Sequence, residues 1–433
     1  MTDLLGDAPL SPASRSLRFE MTDIETYYGD LRDRIERVDP TIRAFVDEET
    51  RWERVDRAID RVRARFPDPE ARPPLYGVPV GIKDVFQVAG LETRAGSRVP
   101  PEELSEPEAE VVSALTDAGA IILGKTVTAE FACFEPGPTR NPHDPEHTPG
   151  GSSSGSVAAV AAGLCPLALG TQTIGSTNRP AGFCGIVGVK PSYGRIPADG
   201  TIAVAQSLDH VGFFTGDVAG AELAAGVLYE DWRAGDAPPE LSRIGVLEGP
   251  YLEQAGDVAR DHFGSHVDRL EASGYETVRV DPFENIDRIN DRHETVMAAE
   301  MAIAHEDRFS SYGDRYSEST AEFIREGRDV SVQELASGRT GRSALRDRLH
   351  DTFETHDLDV LVSPAAPGPA PEGLDSTGDP IMNLPWTHSG LPTVTVPASK
   401  TDAGLPMGLQ CSARFGRDEW LLPWCRSIEN ALR

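Results

Sequence analysis

Between residues 76 and 215 short apolar runs alternate with helical segments, and this order restricts the fold more than any other feature of the chain. "VPVGIKDVFQV" reads as a strand ending in a turn, "EAEVVSALTDAGA" as a helix and "IILGKTV" as a buried strand. The small-residue helix "VAAVAAG" follows, then the strands "CPLALGTQT" and "CGIVGVKPSYG". Strands that are apolar throughout are covered on both faces, and strand–helix alternation builds a sheet with helices packed on it. The predicted fold class is α/β: a single large domain with a central mixed β-sheet covered on both faces by helices.

The flanks fit one domain spanning 1–433. Residues 21–66 have apolar spacings of three and four, and "FPDPEARPPLYG" is a loop. A core of about 67–215 is followed by a charged, mostly helical region of about 216–358 that includes the strand "RIGVLEG". From about 359 to 433 the chain returns to strands, "DVLVSP", "TVTVPA" and "PMGLQCSA", and ends in the helix "DEWLLPWCRSIENAL". No run approaches 18 apolar residues and the start lacks a basic segment before an apolar one, so a cytoplasmic protein with no membrane contact is expected.

Charge narrows the partners. Seventy acidic residues face 41 basic ones, a net −29, and lysine occurs only at 83, 125, 190 and 400, the other 37 basic residues being arginine. Such a surface repels nucleic acid, and it suits a salt-rich cytosol that screens self-repulsion. A halophilic source is therefore expected. The five cysteines form no CxxC pair, so neither a disulfide framework nor a zinc knuckle is predicted.

The stretch "TPGGSSSGS" (148–156) admits several readings. A phosphate loop needs a nearby lysine, and the next one is Lys190. A linker would not run directly into "VAAVAAG". Gly151–Gly155 fits G-x-S-x-G, but the preceding "RNPHDPEHTP" is too rich in proline for the strand an elbow requires. His262 and His266, four apart, lack a metalloprotease glutamate and read as a solvated helix face.

A second element, "LALGTQTIGSTNRPAGFCG" (167–185), places a strand before a turn carrying Ser176. The N–H groups of Thr173, Ile174, Gly175 and Ser176 can converge there as an oxyanion hole. Upstream, Lys83 ends an apolar strand. Composition leaves two readings of it, a lysine that snorkels to the surface or an amine placed for chemistry.

These segments resemble the amidase signature family. The likeness rests on "YGVPVGIKDVF", "GKTVTAEFA", "TRNPHDPEHTPGGSSSGSVAAVAAG", "LALGTQTIGSTNRPAGFCGIVGVKPSYGRIP" and "SLDHVGFF". It is dense over 76–215, looser over 359–430 and absent between them. It implies the amidase signature fold and a Ser–cisSer–Lys triad: Lys83 as base, Ser152 as the bridging cis-serine and Ser176 as nucleophile. It implies hydrolysis of a small carboxamide through an acyl-enzyme on Ser176, with no metal or organic cofactor. Thr173, Ile174 and Gly175 correspond to the oxyanion hole, and Ser153 is counted with Arg179 among the substrate-binding candidates. The amine of Lys83 must then be neutral, so Asp84 should point away from it.

Two departures matter. Ile174 stands where many family members have glycine and should narrow the pocket; Asn178-Arg179 replaces the commoner arginine placement. Arg179 is read either as a bidentate grip on a substrate carboxylate or as half of a structural ion pair. A stand-alone amidase is the leading reading. The alternative is the glutaminase component of the aminoacyl-tRNA amidotransferase (its A subunit), from whose "GKTNMDEF" pattern "GKTVTAEFA" departs; a non-catalytic binding relative is a third. A homodimer is carried as one expectation, and no pattern in the chain fixes its assembly.

Overall fold

The computed structural model describes residues 3–233, 240–283 and 285–433. Ten strands form one sheet: β1 (Pro79–Lys83), β2 (Ile121–Thr126), β3 (Leu167–Gln172), β4 (Val187–Lys190), β5 (His210–Thr215), β6 (Arg243–Leu247), β7 (Glu276–Val280), β8 (Val360–Pro364), β9 (Thr393–Lys400) and β10 (Pro406–Ser412). Their order is β2-β1-β3-β5-β4-β9-β10-β8-β6-β7. Both ends are parallel, β2-β1-β3 and β8-β6-β7, and every pairing between them is antiparallel. The sheet is mixed, as the alternation predicts.

Fifteen helices surround it among the described residues. In the first half these are α1 (Leu10–Arg18), α2 (Ile24–Ile42), α3 (Arg51–Arg65), α4 (Glu110–Asp117), α5 (Ser154–Ala161), α6 (Asn178–Cys184) and α7 (Val218–Leu228). The second half adds α8 (Pro250–Glu253), α9 (Asp257–Ala272), α10 (Ile286–Ala304), α11 (Glu306–Tyr312), α12 (Glu318–Asp329), α13 (Val332–Thr355), α14 (Leu384–Ser389) and α15 (Asp418–Leu432). Helices α5 and α6 pack on each other and on one side of the sheet, while α7, α9 and α15 pack together on the other. Among the described residues no helix is long and apolar enough to cross a membrane.

The helix α5 explains its own composition. All eight of its residues are buried, and a Cβ on Gly155 would lie 2.2 Å from the Ala44 carbonyl oxygen and 2.3 Å from the Val127 nitrogen. Only glycine lets this helix start against the backbone that follows β2. Five elements go beyond the sequence reading: α1, α14, β5, β7 and the short α6. Pro180 in "TNRPAGF" suggests an irregular exit, but it sits in the first turn of α6, where a missing N–H costs no intrahelical bond. The region 216–358 also contributes two strands to the sheet, β6 and β7, the latter half-open to solvent and so without an apolar run to betray it.

His262 and His266 depart from the predicted solvated face. His266 is 2% exposed, and both rings bond the Ser399 hydroxyl, at 2.8 and 2.7 Å. The reason is that α9 lies on the sheet with Phe263, Val267 and Leu270 inward, and His266 shares that stripe.

Candidate active site

Strand β1 carries Lys83 to its end inside the molecule, where the residue is 0% exposed. Its Nζ donates to Ser152 Oγ at 2.8 Å and to Thr171 Oγ1 at 2.7 Å. Burial pushes the amine down to about 7, against the opposing pull of the Asp209 carboxylate. Asp84 turns away and pairs with Lys125 at 2.8 Å, both nearly inaccessible. Adjacent residues at a strand end thus separate the amine from the acid next to it in sequence.

Ser152 follows the cis Gly151–Ser152 peptide, as the family likeness implies. Ser176 lies on the turn from β3 to α6 and is 9% exposed. This turn is held by its carbonyls: Thr387 Oγ1 donates to Ile174 O at 2.6 Å and Arg179 N to Gly175 O at 3.1 Å. Gln172 Oε1 accepts from Thr177 N and Asn178 N at 2.8 and 2.9 Å. Among the described residues no protein acceptor takes the N–H of Thr173, Ile174, Gly175 or Ser176. Asn383 Oδ1 abuts Gly175 so closely that a Cβ there would lie 2.4 Å from it.

The two substrate-binding candidates occupy other positions. The Ser153 hydroxyl is fully buried, donating to Thr171 O at 3.2 Å and accepting from Thr171 N at 3.3 Å. It joins the start of α5 to β3. Arg179 is 3% exposed and donates to Gly151 O at 2.7 Å, Thr377 Oγ1 at 3.0 Å and Gly378 O at 2.6 Å. Its partners are carbonyls and a hydroxyl, not the carboxylate of an ion pair, and desolvation lowers it to about 10.

Sequence reasoning passed over Thr171, whose only signal is a hydroxyl residue near the end of a strand of small apolar ones. It also passed over Lys125 as the partner of Asp84. Three of the four lysines, 83, 125 and 190, are 3% exposed or less. Lys190 is bound by the carbonyls of Pro191 and Leu391 and lowered by burial to about 7. Cys184, near the nucleophile candidate, is buried with its thiol pushed up, so it has no thiolate character. His143 bonds the Cys184 carbonyl at 3.0 Å.

A buried amine brought down to about 7 on two hydroxyls, with a turn of free N–H groups at the end of the same strand as Thr171, is the equipment of a hydrolase that activates a hydroxyl. Comparison with known proteins gives the class. The amidase family model matches residues 29–422. The chain is 33% identical to the A subunit of a Glutamyl-tRNA(Gln) amidotransferase from a Synechococcus species, over 92% of each chain. The protein of the same name from Prochlorococcus marinus is 34% identical over 90% of each. Among solved structures, an amidase crystal structure superposes with TM-score 0.88 at 28% identity, covering 98% of this chain and 100% of the other. Peptide amidase from Stenotrophomonas maltophilia gives 0.81 at 25%, over 99% and 97%. The chain belongs to the amidase family, and it is a hydrolase acting on the C–N bond of amides.

Proposed function

We propose that this protein cleaves a small carboxamide through an acyl-enzyme on Ser176, with Ser152 relaying the proton to Lys83. The observation that carries this reading is the Lys83 amine, fully buried and bonded only to the hydroxyls of Ser152 and Thr171 among the described residues. As Ser176 Oγ attacks the carbonyl carbon, its proton passes to Ser152 and the Ser152 proton to Lys83. The oxyanion is received by the N–H groups of residues 173–176. Lys83 returns its proton through Ser152 to the departing nitrogen, the C–N bond breaks, and the acyl ester remains on Ser176. Water then attacks that ester by the same relay and releases the carboxylate. Arg179 and Ser153 act as positioning residues, one on the Gly151 carbonyl and the other on β3. A fluorophosphonate that labels the wild type and not Ser176→Ala tests the nucleophile; labelling of both, or a fully active Ser176→Ala, overturns it.

A second reading is favoured by the curated relatives: the chain as the glutamine-hydrolysing component of a tRNA-dependent amidotransferase, with partner chains. Departures at "GKTVTAEFA" support the stand-alone reading. Glutaminase activity that appears only with partner chains and tRNA selects the second reading; turnover of simple aliphatic, aromatic or acidic amides by the chain alone selects the first.

The setting we infer is a reducing, salt-rich cytosol. Five unpaired buried cysteines and a surface whose cations are almost all arginine support it. Stability that rises from low to molar potassium chloride is the expected result, and indifference to salt counts against it.

A further inference from the structure

Thr171, the second hydroxyl on the Lys83 amine, also lines a cleft of about 710 Å³ bounded by the loop 193–209, α10 and α13. Asp209 reaches the same cleft. Its Oδ1 accepts from Thr173 Oγ1 at 2.5 Å, and its Oδ2 from Val204 N and Ala205 N at 2.9 and 3.0 Å. No lysine, arginine or histidine forms an ion pair with it among the described residues. Glu300, on the opposite wall, differs: Arg339 pairs with it at 2.7 Å and Ser207 donates twice. Asp209 is partly buried, and the cationic group that acts on it is the Lys83 amine, which burial brings down to about 7; a carboxylate open to a cleft and so weakly countered can hold a cation from solution.

A second observation points the same way. His210 lines the cleft at 3% exposure, and its Nδ1 donates to Leu208 O at 2.6 Å. Burial, with Lys190 and Arg342 nearby, keeps this ring neutral, while the Gln172 carbonyl acts the other way. With the proton on Nδ1, Nε2 is a buried lone pair with no partner among the described residues. The groups acting on or acted on by Asp209 include Lys83, Tyr193 and Glu300, and the cleft wall also carries His210, Glu106, Glu110, Glu230, Arg308 and the Glu300-paired Arg339.

We propose that this cleft binds a small monovalent cation, an ammonium-type ion or an alkali-metal ion, anchored on the Asp209 carboxylate, and that the bound charge tunes the Lys83 base. Asp209 is the charged group that holds the proton on Lys83, whose other neighbours, Ser152 and Thr171, are neutral hydroxyls. Screening Asp209 releases that proton more readily and enlarges the active, neutral fraction near pH 7. The tuning half of the proposal rests on the proposed role of Lys83; the binding half does not.

Binding is therefore measured on the inactive Ser176→Ala protein as well as the wild type. Thermal shift and titration calorimetry use methylammonium, ammonium, potassium and sodium chlorides, with ionic strength held by tetramethylammonium chloride. The expected result is saturable stabilisation in both proteins that Asp209→Asn abolishes; a response to methylammonium and ammonium alone assigns the ammonium class, and one to potassium or sodium the alkali class. Cations indistinguishable from tetramethylammonium, or an unchanged response in Asp209→Asn, overturn the site. Should Asp209→Asn not fold, Ile303→Arg places a charge at the cleft on a residue 64% exposed. It should weaken binding about two- to fivefold, the range for one exposed charge pair, and an unweakened site overturns the assignment. In the wild type, saturating cation should move the acid limb of kcat/KM to lower pH; a stationary limb with binding intact overturns the tuning.

Discussion

Arg179 Nη2 donates to the Gly151 carbonyl at 2.7 Å, so the helix that follows the turn bearing Ser176 holds the peptide that carries Ser152. Arg179 N also donates to Gly175 O at 3.1 Å, which fixes the turn itself. One residue thereby sets Ser152 and Ser176, the proposed relay and the proposed nucleophile, relative to each other. This places arginine's planar fork, rather than its charge alone, at the centre of the role.

Arg179→Lys tests that. A single ammonium cannot reach Gly151 O, Thr377 Oγ1 and Gly378 O together, so the variant should lose about 2 kcal/mol of stability and a larger share of kcat. The ratio of KM for acidic and neutral amides should stay as in the wild type, because the residue holds protein oxygens rather than substrate. Urea unfolding and steady-state kinetics on paired amides measure both. A selective rise in KM for acidic amides would return Arg179 to the substrate site.

Lys83, as the proposed base, sets the expected pH response. Its amine, lowered to about 7, must be neutral to accept a proton, so kcat/KM should fall about tenfold per unit below that value and level above it. Lys83→Met should lose about three orders of magnitude or more in kcat, since the relay has no terminus. Stability gives an independent reading. Between about 7 and the ordinary lysine value of 10.5 the unfolded chain holds the proton that the folded chain lacks. By linkage, stability therefore rises with pH across that window. Lys190 contributes a second such rise. Denaturant midpoints at both ends of the window should show a smaller increase in Lys83→Met than in the wild type; equal increases would mean Lys83 is charged in the folded state.

The sheet and the relay differ in how plainly the sequence writes them. Strands such as "IILGKTV" and "DVLVSP" are legible because both faces are covered and each holds an unbroken aliphatic run, Ile121–Leu123 and Val360–Val362. Strand β7, "ETVRV", mixes exposed and half-buried positions at the sheet edge, so no continuous run marks it. Lys83 stands out in a lysine-poor chain, yet Thr171 does not, because its partner lies 88 positions away and only the β1–β3 pairing brings them together. The same applies to Arg179: its partners Thr377 and Gly378 come from a loop with no pattern of its own. Periodicity reports burial along one element; it says nothing about which distant loop covers an active turn.

Asp84 and Lys125 form a buried pair at 2.8 Å, and Lys125 Nζ also donates to Thr93 Oγ1 at 2.9 Å. Removing one charge strands the other. Asp84→Asn should cost about 3–5 kcal/mol, whereas Asp84→Asn with Lys125→Met should recover most of it, because breaking a buried pair costs more than replacing it. Urea denaturation of the two variants decides this. A double variant no better than the single would mean that Asp84 acts through its bond from Arg94 N rather than through the ion pair.

Gly175 is where backbone and side chain meet most tightly in the turn. A Cβ at this position would lie 2.4 Å from Asn383 Oδ1 and 3.0 Å from Pro380 Cβ. Asn383 cannot yield, since its Nδ2 donates to Ala365 O at 2.9 Å and Gln410 Oε1 at 2.8 Å. Gly175→Ala must therefore displace the turn and the N–H groups proposed to receive the oxyanion. A shift of this kind costs about 100-fold in rate when it misplaces the reacting groups by about 1 Å. The expected loss falls on kcat, with little change in melting temperature, because the turn rather than the core moves. Adding Asn383→Ala removes the obstructing oxygen and should restore a large part of kcat. If the double variant is as slow as the single, the contact with Asn383 is not what positions the turn.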